Sequence, residues 1–155
     1  MKSYAMVFVT AALVLVSSAA PPLAPEAEAE TRAAGARFPA DSIVGEWWTA
    51  KRDGRIRFVR HDDGTYRGIV SWGVRPRKDD FNKNPKLRDR PLVGSVLIWQ
   101  LVYRDGKYQG GYVYNPEDGG TYRIKAALTS RDTLELRGYL GIAVFGQTQT
   151  WTRYR

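Results

Sequence analysis

The side chains that could do chemistry are few. The chain has no cysteine, and its one histidine, His61, sits in His61-Asp62-Asp63-Gly64, a run that reads as an exposed turn. Thiol catalysis, thiolate metal sites and His-rich metal sites are thereby excluded. Acid-base work would fall to carboxylates such as Asp80 and Glu117, acting for instance on a glycan, or to the adjacent Glu117 and Asp118. It needs convergent carboxyl groups, whereas neighbours on a turn point apart and no spacing here forces a pair together. No catalytic residue is assigned, and the expectation is a protein that is not an enzyme. Asp80-x-Asn82-x-Asn84 sets oxygen ligands at alternate positions, as a calcium loop does. Pro85 then stands where such a loop needs glycine and Pro91 where it needs a bidentate glutamate, so no metal and no cofactor are implied.

The remaining residue types suit binding. Trp47, Trp72, Tyr112, Tyr122 and Trp151 would line a small apolar cavity for a hydrophobic or amphiphilic ligand, with Arg88, Arg90 and Gln149 as polar anchors. The competing reading is that the same aromatics fill the core. Asp80, Asn82, Asn84, Asn115 and Asp118 complete the candidate binding set. Between Trp72 and Gly94 runs a segment of more than 20 residues without periodicity, holding seven Lys or Arg against three Asp. Connections of that length are uncommon unless they bind or cover something. Such a basic loop offers a second reading, attraction to an anionic lipid surface or an envelope polyanion. Nucleic acid has the same electrostatic footprint, but an exported protein rarely meets it.

The elements that must position these residues are strands. From Val44 onward, apolar and β-branched runs recur every 8–15 residues between Gly, Asp or Asn turns. They predict strands over Val44–Thr49, Ile56–Arg60, Tyr66–Trp72, Ser95–Tyr103, Gln109–Tyr114, Thr121–Leu128, Thr133–Tyr139 and Ala143–Arg153. An eight-stranded antiparallel up-and-down meander leaves two raw edges unless it closes, so the expected fold is an all-β barrel with one long loop between its third and fourth strands. Val96 to Tyr103 is apolar on both faces and needs an outer cover: a packed loop, the linker or, in a homodimer, a second copy.

Upstream of the strands, Met1 to Ala20 reads as a signal peptide, with Lys2, an uncharged stretch from Tyr4 to Val16, and small residues around a cleavage point after Ala19. The expected location is the periplasm or the exterior of a bacterium, with no transmembrane segment left after removal. Pro21 to Ala40 is rich in Ala, Pro and Glu and reads as a flexible linker. The domain then covers residues 41–155. Lys2, Arg32 and Arg37 balance Glu26, Glu28 and Glu30, so the net charge of +8 lies on this domain.

Gly45-x-Trp47 on the first strand and Arg153 on the last would be neighbours in a closed barrel, where a guanidinium across an indole seals one end. The arrangement resembles the Gly-x-Trp and late Arg of lipocalin-type barrels, where Gly45, Trp47 and Arg153 would be structural. Asp80 to Gly94, Tyr114-Asn115-Pro116-Glu117-Asp118-Gly119-Gly120-Thr121-Tyr122, and Leu136 to Gly141 through Gln149 to Arg153 together resemble the DUF2147 family of exported bacterial proteins. The resemblance implies a lipocalin-like β-barrel and no particular activity. Family members commonly carry cysteines, one near the position of Tyr139; none is present here, so no redox or disulfide role is implied.

Overall fold

A computed structural model describes residues 38–139 and 147–155. Eight antiparallel strands form a closed barrel in sequence order: β1 (Gly45–Trp48), β2 (Gly54–Arg60), β3 (Tyr66–Gly73), β4 (Val96–Arg104), β5 (Lys107–Asn115), β6 (Gly120–Ser130), β7 (Thr133–Tyr139) and β8 (Gln147–Arg153). β8 closes on β1 through the pairs Trp47–Arg153 and Trp48–Thr152. The expected strands are all present with ends shifted by a few residues; the expected start of the last, at Ala143, lies outside the described residues.

Turn chemistry explains why neighbours in sequence are neighbours in the wall. Asp105 and Gly106 both have positive φ, 54° and 81°, and make a two-residue hairpin between β4 and β5 whose twist matches that of the strands. Arg131 and Asp132 join β6 to β7 as briefly. Among the connections whose residues are described, only β3–β4 is long.

Alternation then sorts the side chains. Trp47, Ile56, Phe58, Tyr66, Ile98, Leu101, Tyr108, Ile124, Leu134, Leu136 and Trp151 point inward and are buried. Each such side chain contributes about 1.5–3 kcal/mol by leaving water. Packing is tight at the waist: a Cβ on Gly68 would lie 3.0 Å from Ile56 and 3.1 Å from Ile98, and one on Gly111 would lie 2.9 Å from Leu101.

Bulges break the alternation. Ile56 pairs with Val70 but Arg55 with Trp72, so Ser71 is an extra residue in β3. It turns Trp72 to the outer face beside Arg55 and Trp48, which corrects the expectation that Trp72 lines the interior. Tyr112 also faces outward, stacked on Trp99 with ring centroids 5.8 Å apart and with Arg123 over it at 4.6 Å. That pair half-covers the outer side of β4, and Val96 and Val102 stay exposed there among the described residues.

Candidate functional site

The two ends of the barrel are built differently. At one end the chain enters through Phe38 and a 3-10 turn, Ala40–Ile43, and plugs the opening. The Tyr108 hydroxyl donates to the Ala40 carbonyl at 2.7 Å and accepts from the Ile43 amide at 3.1 Å; the Tyr103 hydroxyl donates to the Phe38 carbonyl. Tyr66 donates to Asp41 at 2.6 Å, and the Trp47 indole to the Ile43 carbonyl at 2.8 Å. Arg153 spans the rim. Its Nη2 donates to the Ser42 carbonyl at 2.6 Å, Nη1 to Val44 at 3.2 Å and Nε to Arg131 at 2.9 Å, with the guanidinium 4.2 Å from the Trp47 ring. Gly45, at φ 121°, permits that approach, since a Cβ there would lie 3.1 Å from Nη1.

The opposite end gathers the β1–β2, β3–β4 and β5–β6 connections. The long loop, residues 74–95, lacks periodicity yet is ordered around a carboxylate that the sequence did not single out. Asp79 is fully buried, and accepts from the Tyr114 hydroxyl, from Asn82 Nδ2 at 2.7 Å and from Arg90 Nε at 2.8 Å. Burial works against its ionised form, but these three donors outweigh it and hold the carboxyl below its ordinary value. In turn, burial and Asp79 push the Tyr114 hydroxyl up to about 12. Main-chain bonds from Asp79 to the Arg90 carbonyl, and from Leu92 to that of Arg77, zip the two arms of the loop together. The only sequence signals for this node were a polar side chain next to Asp80 and the motif Asn82-x-Asn84.

Asn82 is the one member of the alternating Asp80, Asn82, Asn84 set that is buried; its Nδ2 donates to Asp79 and its Oδ1 accepts from the Asn84 amide at 2.9 Å. Asn84 caps the 3-10 turn Pro85–Leu87 and Asp80 is exposed. Arg88 donates to the Asn82 carbonyl at 2.8 Å and Arg90 is engaged with Asp79, so both serve the loop's own framework. The loop then docks on the β5–β6 turn. The Phe81 carbonyl lies so close over Gly119 (φ 65°) that a Cβ there would be 2.0 Å from its oxygen, and Arg77 bridges to Glu117 at 2.6 Å. Within that turn Asp118 accepts from Tyr122 at 2.6 Å, from the Gly120 amide at 2.7 Å and from Asn115 at 3.0 Å. The Tyr122 hydroxyl leads the causes that hold Asp118 below its ordinary value.

Inside this rim the described residues fill the wall less than they do the waist. Gly138, Gln147 and Gln149 share the inner face with buried Ile124 and Leu136, as their pairings require. Both glutamines are exposed nevertheless, and a Cβ on Gly138 would meet only Val113, at 3.9 Å, among the described residues. Trp151 lies one step deeper, buried, its indole donating to Gln149 at 3.1 Å. Of the candidate set, the barrel thus brings Tyr122, Gln149 and Trp151 to one inner surface. Trp47 lies inside too, sealed beneath Arg153 at the plugged end.

The solved structure of protein HP1028 from the human pathogen Helicobacter pylori, described as belonging to the lipocalin family, superposes with a TM-score of 0.66 and 30% sequence identity, over 73% of this chain and 83% of that one. Among curated proteins none matches. The family model of DUF2147, described as an uncharacterized protein conserved in bacteria, matches residues 45–153, and with the barrel and its neighbour in agreement the chain belongs to that family.

Proposed function

We propose that the protein is an exported bacterial carrier or sensor that takes one small amphiphilic ligand at the end of its barrel opposite the Ala40–Ile43 turn. The observation that carries this is the inner surface there: Gln147 and Gln149 face inward yet are exposed, and among the described residues a Cβ on Gly138 would meet only Val113, at an ordinary contact distance of 3.9 Å. An apolar chain would rest against Val113 and Trp151, while the glutamine amides and the Tyr122–Asp118 pair would meet a polar head at the rim. The bulk of the interior is packed, so the ligand is small and shallowly held. A carboxylate-based hydrolase is the weaker reading, because Glu117 is tied to Arg77 and Asp80 faces solvent.

Titrating the protein with a short-chain alkyl amphiphile while following tryptophan emission tests the site, with Gly138→Leu as the blocked control. Saturable quenching in the parent and at least a tenfold weaker response in a folded Gly138→Leu variant is the expected outcome. Equal binding by both would place the ligand elsewhere and defeat the proposal.

A further inference from the structure

The loop that frames the mouth carries a second surface. Three of its cations are neutralised within the fold: Arg77 by Glu117 at 2.6 Å, Lys78 by Asp89 at 2.9 Å and Arg90 by Asp79 at 2.7 Å. Arg75, Lys83, Lys86 and Arg88 have no carboxylate partner within ion-pair distance among the described residues. The same loop exposes apolar side chains that a barrel of this size would ordinarily bury. Phe81 is 59% exposed, Val74 60%, Val93 46% and Leu87 37%, which is half of the large exposed hydrophobics in the described residues. Phe81, Lys83, Lys86, Leu87 and Arg88 fall within one compact turn, tied across its base by the bond from Arg88 to the Asn82 carbonyl.

From this juxtaposition we propose that the 81–88 turn docks the protein on a bilayer containing anionic phospholipid, with Lys83, Lys86 and Arg88 at the phosphates and Phe81 and Leu87 in the interfacial layer. Two features favour a bilayer over a soluble polyanion. A polyanion would satisfy the cations and leave Phe81 and Leu87 in water, whereas a bilayer interface satisfies both classes. In addition, Asp79 and its three donors hold the turn in one shape, so docking does not have to order a floppy segment first. The mouth and the turn lie at the same end of the barrel, so docking would bring the opening toward the lipid. The inference does not depend on the mouth binding a ligand.

The test is cosedimentation of the protein, as processed by its producing bacterium, with vesicles of phosphatidylcholine alone and of phosphatidylcholine with 30% phosphatidylglycerol, beside retention on immobilised heparin. The expected result is partition onto the anionic vesicles only, weakening with salt. Lys83→Gln with Lys86→Gln should lower the partition coefficient about 25-fold, roughly fivefold per cation. Phe81→Ser with Leu87→Ser should lower it at least tenfold while leaving heparin retention unchanged. All four side chains are exposed, so near-UV circular dichroism should match the parent in both variants. Equal partition onto neutral vesicles would overturn the proposal, as would vesicle binding indifferent to Phe81 and Leu87, which would identify a polyanion site instead. Gly138→Leu, which blocks the proposed mouth, should leave partition unaltered, so failure at one surface is distinguishable from failure at the other.

Discussion

Both ends of the barrel are organised by one charged side chain and by tyrosine hydroxyls, yet the charges bond to different things. At the plugged end Arg153 donates to three main-chain carbonyls, those of Ser42, Val44 and Arg131, in segments that are far apart in sequence. At the loop end Asp79 accepts from three side chains, two of which belong to its own loop. A guanidinium that stitches separate segments takes part in closing the barrel, and its loss is felt globally. A carboxylate that organises a single loop and pins it to Tyr114 sets a local shape. The difference separates a structural end from one free to carry function.

Arg153→Ala should therefore have the largest effect. It removes three charge-assisted bonds to main-chain carbonyls, two of them at exposed sites, and the cation over Trp47, and these losses together cost about 3 kcal/mol. For a domain of this size that corresponds to a fall in melting temperature of roughly 10–20 °C, read by differential scanning calorimetry. Arg153→Lys should recover less than half, because a single ammonium cannot fork to carbonyls in three directions. A loss under about 0.5 kcal/mol, typical of a surface substitution, would erase the contrast between the two ends.

At the loop end, Asp79→Asn and Gly119→Ala attack the same docking from its two sides. The first leaves Arg90 without its buried counter-charge and turns an amide donor toward other donors. The second puts a methyl group 2.0 Å from the Phe81 carbonyl oxygen at a residue with φ 65°. Each should cost about 2 kcal/mol, confined to the loop. Hydrogen exchange should accelerate at the Asp79, Asn82, Arg90 and Leu92 amides, while those of β1, β2 and β8 keep their protection. Protection lost evenly around the barrel would mean that the loop is part of the cooperative core.

Acid sharpens the same contrast. Asp79 is held below its ordinary value in the fold, so its contribution is complete above the unfolded carboxyl pKa of about 3.9 and is lost as pH falls through the folded value. Arg153 keeps its charge throughout that range. Acidification should release the loop amides before those of the plugged end. Alkali, by contrast, should loosen both ends together. Tyr66 is pushed up to about 12 by burial and by its bond to Asp41, and Tyr114 to about 12 by burial and Asp79. Both contributions are complete below the unfolded tyrosine pKa of about 10 and vanish as pH rises through the folded values. Absorbance at about 295 nm, where tyrosinate is seen, should show these late titrations coinciding with loss of near-UV dichroism.

Which parts of this were legible from sequence follows from physics. Asp-Gly turns and β-branched runs are local signals, and they located the eight strands and the order in which they close. The face on which Trp72 emerges was not local, because one extra residue at Ser71 reverses inside and outside. Gln100 is similar: its φ of 58° lies where β4 slips by one residue against β3, Tyr66 pairing with Leu101 but Gly68 with Ile98, a bulge that no Gly or Pro in β4 announces. Asp79 was invisible because a loop carboxylate is ordinarily solvated, and what buries this one is Tyr114, 35 residues on. The aromatic set divided for the same reason: Trp47 and Trp151 follow strand parity into the core, whereas Tyr112 falls on the other parity and stacks outside on Trp99.

The smallest expected effect belongs to a contact that looks strong on distance alone. Arg77 and Glu117 meet at 2.6 Å and join the long loop to the β5–β6 turn, as Gly119 and Phe81 also do. Both side chains are about half exposed or more, at 45% and 63%. Water therefore screens the pair, and holding two long side chains together offsets much of the attraction, leaving less than about 1 kcal/mol. Arg77→Ala should shift the denaturant midpoint barely outside error and leave the Asp79 amide protected. If it instead released the loop as fully as Gly119→Ala does, the docking would rest on a solvent-exposed ion pair rather than on backbone packing and a buried carboxylate, and should then dissolve in high salt as well.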